Sequence, residues 1–201
     1  MQNAEKLPTK ERILASGTLL FAEKGFKGVS VREICEHADT SMNMIHHYYG
    51  SKGGLLEAIV GQFSANVFAI PMRLLDKAPR SKDDFISRFE LLFETTLDAY
   101  IEQRAVFMVV VREQASPEAL PEYRRRLSSF LNDAKDAGHV RKNLNIEMVA
   151  GFMLDRILNQ VQFAPWIEKT YGKSVMSDPE YKRQWCADNL DVLLNGIVSP
   201  I

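Results

Sequence analysis

The chain has 201 residues, 46% of them hydrophobic and 25% charged, and a formal net charge of -1. That is enough chain to bury a substantial core without disulfide staples, and too apolar a composition for a long disordered tail. The near-neutral total argues against a surface coated throughout with nucleic acid, but a local footprint depends on where charge sits and not on the sum.

The polar start, Met1 to Pro8, reads as a frayed end, with neither the apolar run nor the small-residue cleavage pattern of a signal peptide. The apolar stretch Val106 to Val111 is far short of the roughly 20 residues that cross a bilayer, so the expectation is a cytoplasmic protein with no membrane partner. Cys35 and Cys186 have the spacing of neither a metal site nor a disulfide framework, and each reads as a small buried hydrophobe. No metal and no cofactor is expected.

From Thr9 the pattern has helical period, with Ile13, Gly17, Leu20 and Phe21 on one face and Gly25 as the cap that ends it. Ser30-Val31-Arg32-Glu33 fits a capping box opening a second, short helix to His37 or Ala38, which buries Val31, Ile34, Cys35 and Ala38. Asp39-Thr40 breaks the pattern, and Ser41 caps a third helix through Tyr48. Helices this short are marginal alone and must be held by packing against the first. Two short helices clamped by a longer one make a helix-turn-helix, whose second member can enter a major groove. On that member Ile45 and Tyr48 or Tyr49 are the inward anchors, leaving Met42, Asn43, His46 and His47 as the outward reading surface.

A long fourth helix starts near Ser51-Lys52 and runs to about Pro71. Ser81 opens a helix carrying Phe85, Phe89, Phe93, Leu97 and Tyr100, and Ala105 to Glu113 forms a short apolar helix that must be buried on most sides. Ser116-Pro117 opens Glu118 to Ala137. Asn145 caps Ile146 to about Ala164, ended by Pro165, and Asp178-Pro179 opens Glu180 to Asn195, closed by Gly196. No segment alternates with strand period. The fold class is all-α: an N-terminal three-helix helix-turn-helix bundle over 9–54, joined by a long helix to a larger helical domain over 55–201, about nine helices in total.

Charge alone would not identify a DNA-binding domain. Met1 to Leu55 holds seven basic residues (Lys6, Lys10, Arg12, Lys24, Lys27, Arg32, Lys52) against six acids (Glu5, Glu11, Glu23, Glu33, Glu36, Asp39), a balance of +1. The stronger signal is the run Ile13-Leu14-Ala15-Ser16-Gly17, Phe21-Ala22-Glu23-Lys24-Gly25-Phe26, Ser30-Val31-Arg32-Glu33-Ile34, Ala38-Asp39-Thr40-Ser41 and Ile45-His46-His47-Tyr48-Tyr49-Gly50-Ser51-Lys52 with Leu55-Leu56. With every spacing intact, it resembles the N-terminal domain of the TetR family of bacterial transcriptional regulators. The rest of the chain matches that family only in helical layout and length.

The resemblance implies a homodimer, usually a repressor, whose last two helices form the dimer interface and whose C-terminal domain binds a small-molecule effector. It places Thr40, Met42, Asn43, Met44, His46, His47 and Tyr48 in or beside the recognition helix, Lys52 on backbone phosphate, and Lys27, Ser30 and Arg32 at further phosphate-contact positions. The chain departs from the family pattern at Asp39, where a Gly usually turns the corner, at His46, where a Tyr is common, and at Tyr49 for the common Phe. An aspartate tolerates the left-handed turn at modest strain, and a contact from His46 would depend on protonation. Among the outward side chains Asn43 can read a base edge in bidentate fashion, and Thr40 or Met42 can lie against a thymine methyl.

In the second domain Phe89, Phe93, Leu97, Tyr100, Phe107, Met108, Val111, Phe152, Ile157, Phe163 and Trp166 can form either a solid core or the lining of a pocket. Polar residues on the same helices favour a pocket: Asp155 and Asn159 stand four apart, as do Arg156 and Gln160, and Arg112 could pair with Glu113 or Asp155 or meet an acidic ligand. Such a lining suits a mostly apolar or aromatic molecule. Excess apolar surface on the last helix, with Tyr181, Trp185, Leu190, Leu193, Leu194 and Ile197, and on Ile146 to Phe163 favours a two-fold interface over a closed monomer. Two half-sites one helical turn apart, or a multiple of that, would then form a palindromic operator.

The function expected is a ligand-responsive transcriptional regulator, a repressor released from its operator by that molecule, with occupancy transmitted through the fourth helix. A helical protein-binding adaptor that has lost sequence-specific DNA binding is the alternative. An enzyme is less supported, because no Cys or Ser sits in a nucleophile motif, no Glu-x-x-His occurs and His139 stands alone. No catalytic residue is assigned.

Overall fold

The computed structural model describes residues 7–197, with side chains through 195. The predicted fraying of Met1 to Pro8 therefore lies mostly outside the described residues, as does the packing expected of Ile197. Among the described residues there are ten helices and no strand: α1 (Thr9–Lys24), α2 (Val31–His37), α3 (Met42–Tyr49), α4 (Lys52–Leu74), α5 (Lys82–Glu102), α6 (Arg104–Arg112), α7 (Leu120–Asp136), α8 (Ile146–Gln162), α9 (Ala164–Tyr171) and α10 (Pro179–Ile197). The protein is all-α, as its periodicity requires.

The helix beyond the expected nine is α9. Pro165 was read as the stop of a single long helix, but proline is equally a first-turn residue. Here α8 ends at Gln162, Phe163 serves as the joint, and Pro165 lies in the first turn of α9. The same double meaning displaces the start of α7, which uses Pro121 and not Pro117 near its first turn. Pro71 lies inside α4, which continues to Leu74. By length and composition α4 could cross a membrane, which the short run Val106 to Val111 did not anticipate. Its Leu55, Ile59, Phe63, Val67 and Phe68 are buried.

The chain forms two compact units. The first comprises the described residues up to Ala65 together with Ala105–Glu118, so α6 belongs with the helix-turn-helix for all but its first residue. Its core joins Ile13, Leu20 and Phe21 of α1, Ile34 and Cys35 of α2, Ile45 of α3, Leu55 and Ile59 of α4, and Val109 of α6. A side chain at Gly17 would put its Cβ 2.8 Å from Leu55 Cδ2, so the Leu55 side chain of α4 packs on α1 in the space that glycine leaves.

The second unit comprises Asn66–Arg104 and the chain from Ala119. In it α8 packs on α5, α7 and α9, and α10 packs on α5. Phe85 stacks on Phe89 and Phe130 at 5.7 and 5.5 Å, Phe93 on Trp185 at 5.6 Å, and Phe68 meets Tyr123 at 5.1 Å. Arg88 lies over the Phe130 ring and donates to the carbonyl of Leu74, the last residue of α4, and to those of Lys77 and Ala78 in the loop that follows.

Candidate nucleic-acid interface

The reading helix is positioned by caps and by four side chains that reach backbone carbonyls. Ser30 Oγ accepts from the Glu33 amide at 3.1 Å, as the capping box requires. The Glu33 carboxyl is held below its ordinary range, chiefly by a hydrogen bond from Lys24 and in smaller part by the Ser30 amide. Ser41 occupies the N-cap of α3, but its side chain makes no capping bond, so α3 depends on packing.

The corner between α2 and α3 turns on Asp39, at φ 50°. Arg12 spans it, donating from Nε to the Ala38 carbonyl at 3.0 Å and from Nη2 to the Asp39 carbonyl at 3.1 Å. His37 Nδ1 and Ser16 Oγ, 2.9 Å apart, join α2 to α1. Tyr49, at the common Phe position, donates its hydroxyl to the Lys10 carbonyl at 2.7 Å. Of the alternatives for the second inward anchor, Tyr49 is therefore the one held, and Tyr48 is on the surface.

Lys52 occupies a position different in kind from the phosphate contact the resemblance implies. Its Nζ donates to the Phe26 and Val29 carbonyls at 2.8 Å each and sits 4.2 Å from the Phe26 ring centroid. Two of its three N–H groups thus close the turn between α1 and α2. Arg112, read as a ligand contact, does the same work from α6: Nη1 donates to the last carbonyls of α1, Ala22 at 3.1 Å and Glu23 at 2.8 Å. Glu113 accepts the Phe26 amide at 2.8 Å. These two side chains lie against Gly25, which turns at φ 77°.

Of the other predicted contacts, Met42, Asn43, His46, His47 and Tyr48 are exposed, Thr40 is half-buried, and Met44 packs partly on the core. Lys27 and Ser30 are exposed, as is Arg32, whose Nε pairs with Glu36 at 2.8 Å. His46 Nδ1 lies 2.9 Å from the Gly50 carbonyl. A carbonyl only accepts, so Nδ1 carries the proton and the neutral ring offers Nε2 as an acceptor, while a protonated ring offers a second donor. Together α3 presents an amide, two imidazoles, a thioether and a phenol to solvent.

The predicted ligand set divides. Phe89, Phe93 and Leu97 are fully buried and Tyr100 nearly so, its hydroxyl pushed up to about 12 by burial. Phe107 is buried in the first unit, stacked on Phe63 at 6.4 Å, with Met108 and Val111 half-buried on the same helix. On α8, Asp155 and Asn159 are exposed, and Asn159 Nδ2 donates to the Asp155 carbonyl at 2.7 Å. Arg156 donates to Asn189 of α10 at 2.8 Å. Phe152 is exposed, while Asn159, Gln160, Phe163, Trp166 and Ile167 line an open groove of about 390 Å³. Among the described residues of α10 the expected apolar surface is reduced, because Trp185, Leu190 and Leu193 are buried while Val192 is exposed.

Two short helices braced by a longer one, with the second turning polar side chains outward, define a helix-turn-helix DNA-binding protein. Residues 13–59 match the family described as "Bacterial regulatory proteins, tetR family". The match places that family's N-terminal domain over α1 to the start of α4 of this chain. Over 58 residues it is 47% identical to "Probable HTH-type transcriptional regulator YttP" of Bacillus subtilis (strain 168), a match covering 29% of the chain and 28% of that protein. Over 159 residues it is 23% identical to the HTH-type transcriptional regulator UidR of Escherichia coli (strain K12), covering 75% of the chain and 79% of UidR. The fold matches that of the ketosteroid transcriptional regulator KstR2 of Mycobacterium tuberculosis with a TM-score of 0.72 at 19% identity, over 100% of this chain and 98% of that one.

Proposed function

We propose that the protein is a cytoplasmic, homodimeric repressor that reads a palindromic operator with α3 and is released by a mostly apolar or aromatic effector. The observation that carries this reading is the outward face of α3, where Met42, Asn43, His46 and His47 stand free of the core on a helix anchored by Ile45. Asn43 is the base reader, and Met42 with Thr40 supplies apolar contact to a thymine methyl. Lys27, Ser30 and Arg32 set the register on phosphate.

Dimerisation through α8 and α10 is supported by Met148, 70% exposed, Phe152 and Val192, apolar side chains on two helices joined by the Arg156–Asn189 bond. Effector binding acts on α3 through α4 and α6, the helices whose residues are divided between the units. Arg112, at the end of α6, holds the end of α1.

The internal pairing of Lys24, Arg32 and Lys52 favours a second reading, the protein-binding adaptor. Selection of bound duplexes from a random library separates the two. The repressor enriches a two-fold symmetric sequence with half-sites about one turn, or a multiple of one turn, apart. No enrichment at low salt would leave the adaptor.

A further inference from the structure

We infer that the groove at the α8–α9 corner is a binding site for one flat, uncharged aromatic molecule carrying a hydrogen-bond donor. The inference rests on the ligand-responsive reading above and names where the effector sits and what recognises it.

Three features of the corner point to such an occupant. Its lining, Asn159, Gln160, Phe163, Trp166 and Ile167, contains no ionic side chain. Arg104 turns Nε to the Val161 carbonyl at 3.0 Å and Nη2 to that of Gln162 at 3.5 Å. An anion there would meet no free charge supplied by the lining, so a neutral molecule is favoured.

The aromatic wall is held open to solvent. Trp166 is 60% exposed and Phe163 48%, although Phe163 caps, and Trp166 lies on, a short helix with proline in its first turn, anchored by buried Ala164 and Ile167. Tyr171 meets the Trp166 ring edge-on at 6.3 Å and braces it. A braced indole beside a second ring is a wall set before binding, which lowers the ordering cost of binding a flat ring.

The third feature fixes the polarity. The side-chain oxygen of Gln160 is shielded from solvent and has no hydrogen-bond partner. An orphaned acceptor is destabilising, and a ligand that brings an N–H or O–H removes that cost once the Gln160 carboxamide turns its oxygen into the groove. A volume of about 390 Å³ holds one small molecule.

The test uses the whole protein with 2-naphthol and its donor-free ether, 2-methoxynaphthalene. Trp166 and Trp185 are the chain's two tryptophans, so their indole N–H signals are assigned by Trp166→Phe. Up to millimolar probe, 2-naphthol is expected to shift the Trp166 indole and Gln160 carboxamide signals, leave Trp185 in place, and bind about 5- to 100-fold more tightly than the ether. Gln160→Met brings that ratio close to one. Trp166→Ala, at an exposed position, weakens both probes alike.

A preference for naphthol that survives Gln160→Met, or the absence of any shift at Trp166, overturns the assignment. A Trp166 signal that moves with protein concentration, micromolar to millimolar and without probe, assigns the groove to a second copy and overturns it as well. Binding at the groove with no release of DNA supports the site and overturns the ligand-responsive reading. Release of DNA by naphthol that is unaffected by Gln160→Met supports that reading and overturns the site.

Discussion

The two units differ in how completely they satisfy their buried polar side chains. In the first, Arg12, Tyr49, Lys52 and Arg112 each donate to backbone carbonyls at helix ends and turns, so the polar groups are the frame. In the second, the hydroxyls of Thr96 and Tyr123 are buried among aromatic rings with no well-formed hydrogen bond, near enough that Thr96 lowers a Tyr123 hydroxyl that burial pushes up. In the first unit such donors close the end of α1 and the turns that set α3. The second unit also leaves the Gln160 side-chain oxygen without a partner.

The largest effect is expected from the apolar centre of the frame. Phe21 is fully buried where α1, α2 and α4 meet, and Phe21→Ala should cost about 3–5 kcal/mol. Hydrogen exchange should show α1 and α2 losing protection while α5 and α8 keep theirs. Equal loss in both units would show that the distinction between them is not energetic.

Lys52 sharpens the comparison. Lys52→Met removes two hydrogen bonds to carbonyls and should lower stability by about 1–3 kcal/mol. The salt dependence of operator binding should stay unchanged, because the ammonium is a strut. A slope reduced by about 0.9 per protomer would assign Lys52 to phosphate instead.

Tyr123→Phe is the counterpart in the second unit. It deletes a hydroxyl with no well-formed hydrogen bond, so the change should be below about 0.5 kcal/mol or slightly stabilising in urea unfolding. A cost above about 1 kcal/mol would mean that the hydroxyl is satisfied, and the contrast would fail.

The same contrast explains what could be read from sequence. The helix-turn-helix was legible because its signals are local: Ser30 three residues before Glu33, and Ile45 on the inner face of a short helix. The Lys52 and Arg112 struts were not, because their carbonyl partners lie 23 to 90 positions away and any exposed cation can as well meet a phosphate or a ligand. Pro165 carries the same residue-level signal whether it ends a helix or starts one, which hid α9. Aromatics at helical spacing look alike whether they fill a core, as Phe89 and Phe93 do, or wall a groove, as Phe163 and Trp166 do. Only the tertiary arrangement distinguishes them.

The central claim is that the outward face of α3 reads bases. It is tested most directly by the ratio of specific to non-specific affinity at fixed salt, for the wild type and for the triple variant Met42→Ala, Asn43→Ala, His47→Ala. All three side chains are exposed, so the fold and the non-specific affinity should persist. The ratio should fall at least about 10-fold, from the loss of base contacts worth roughly 1–3 kcal/mol each. An unchanged ratio in a folded dimer would contradict the account.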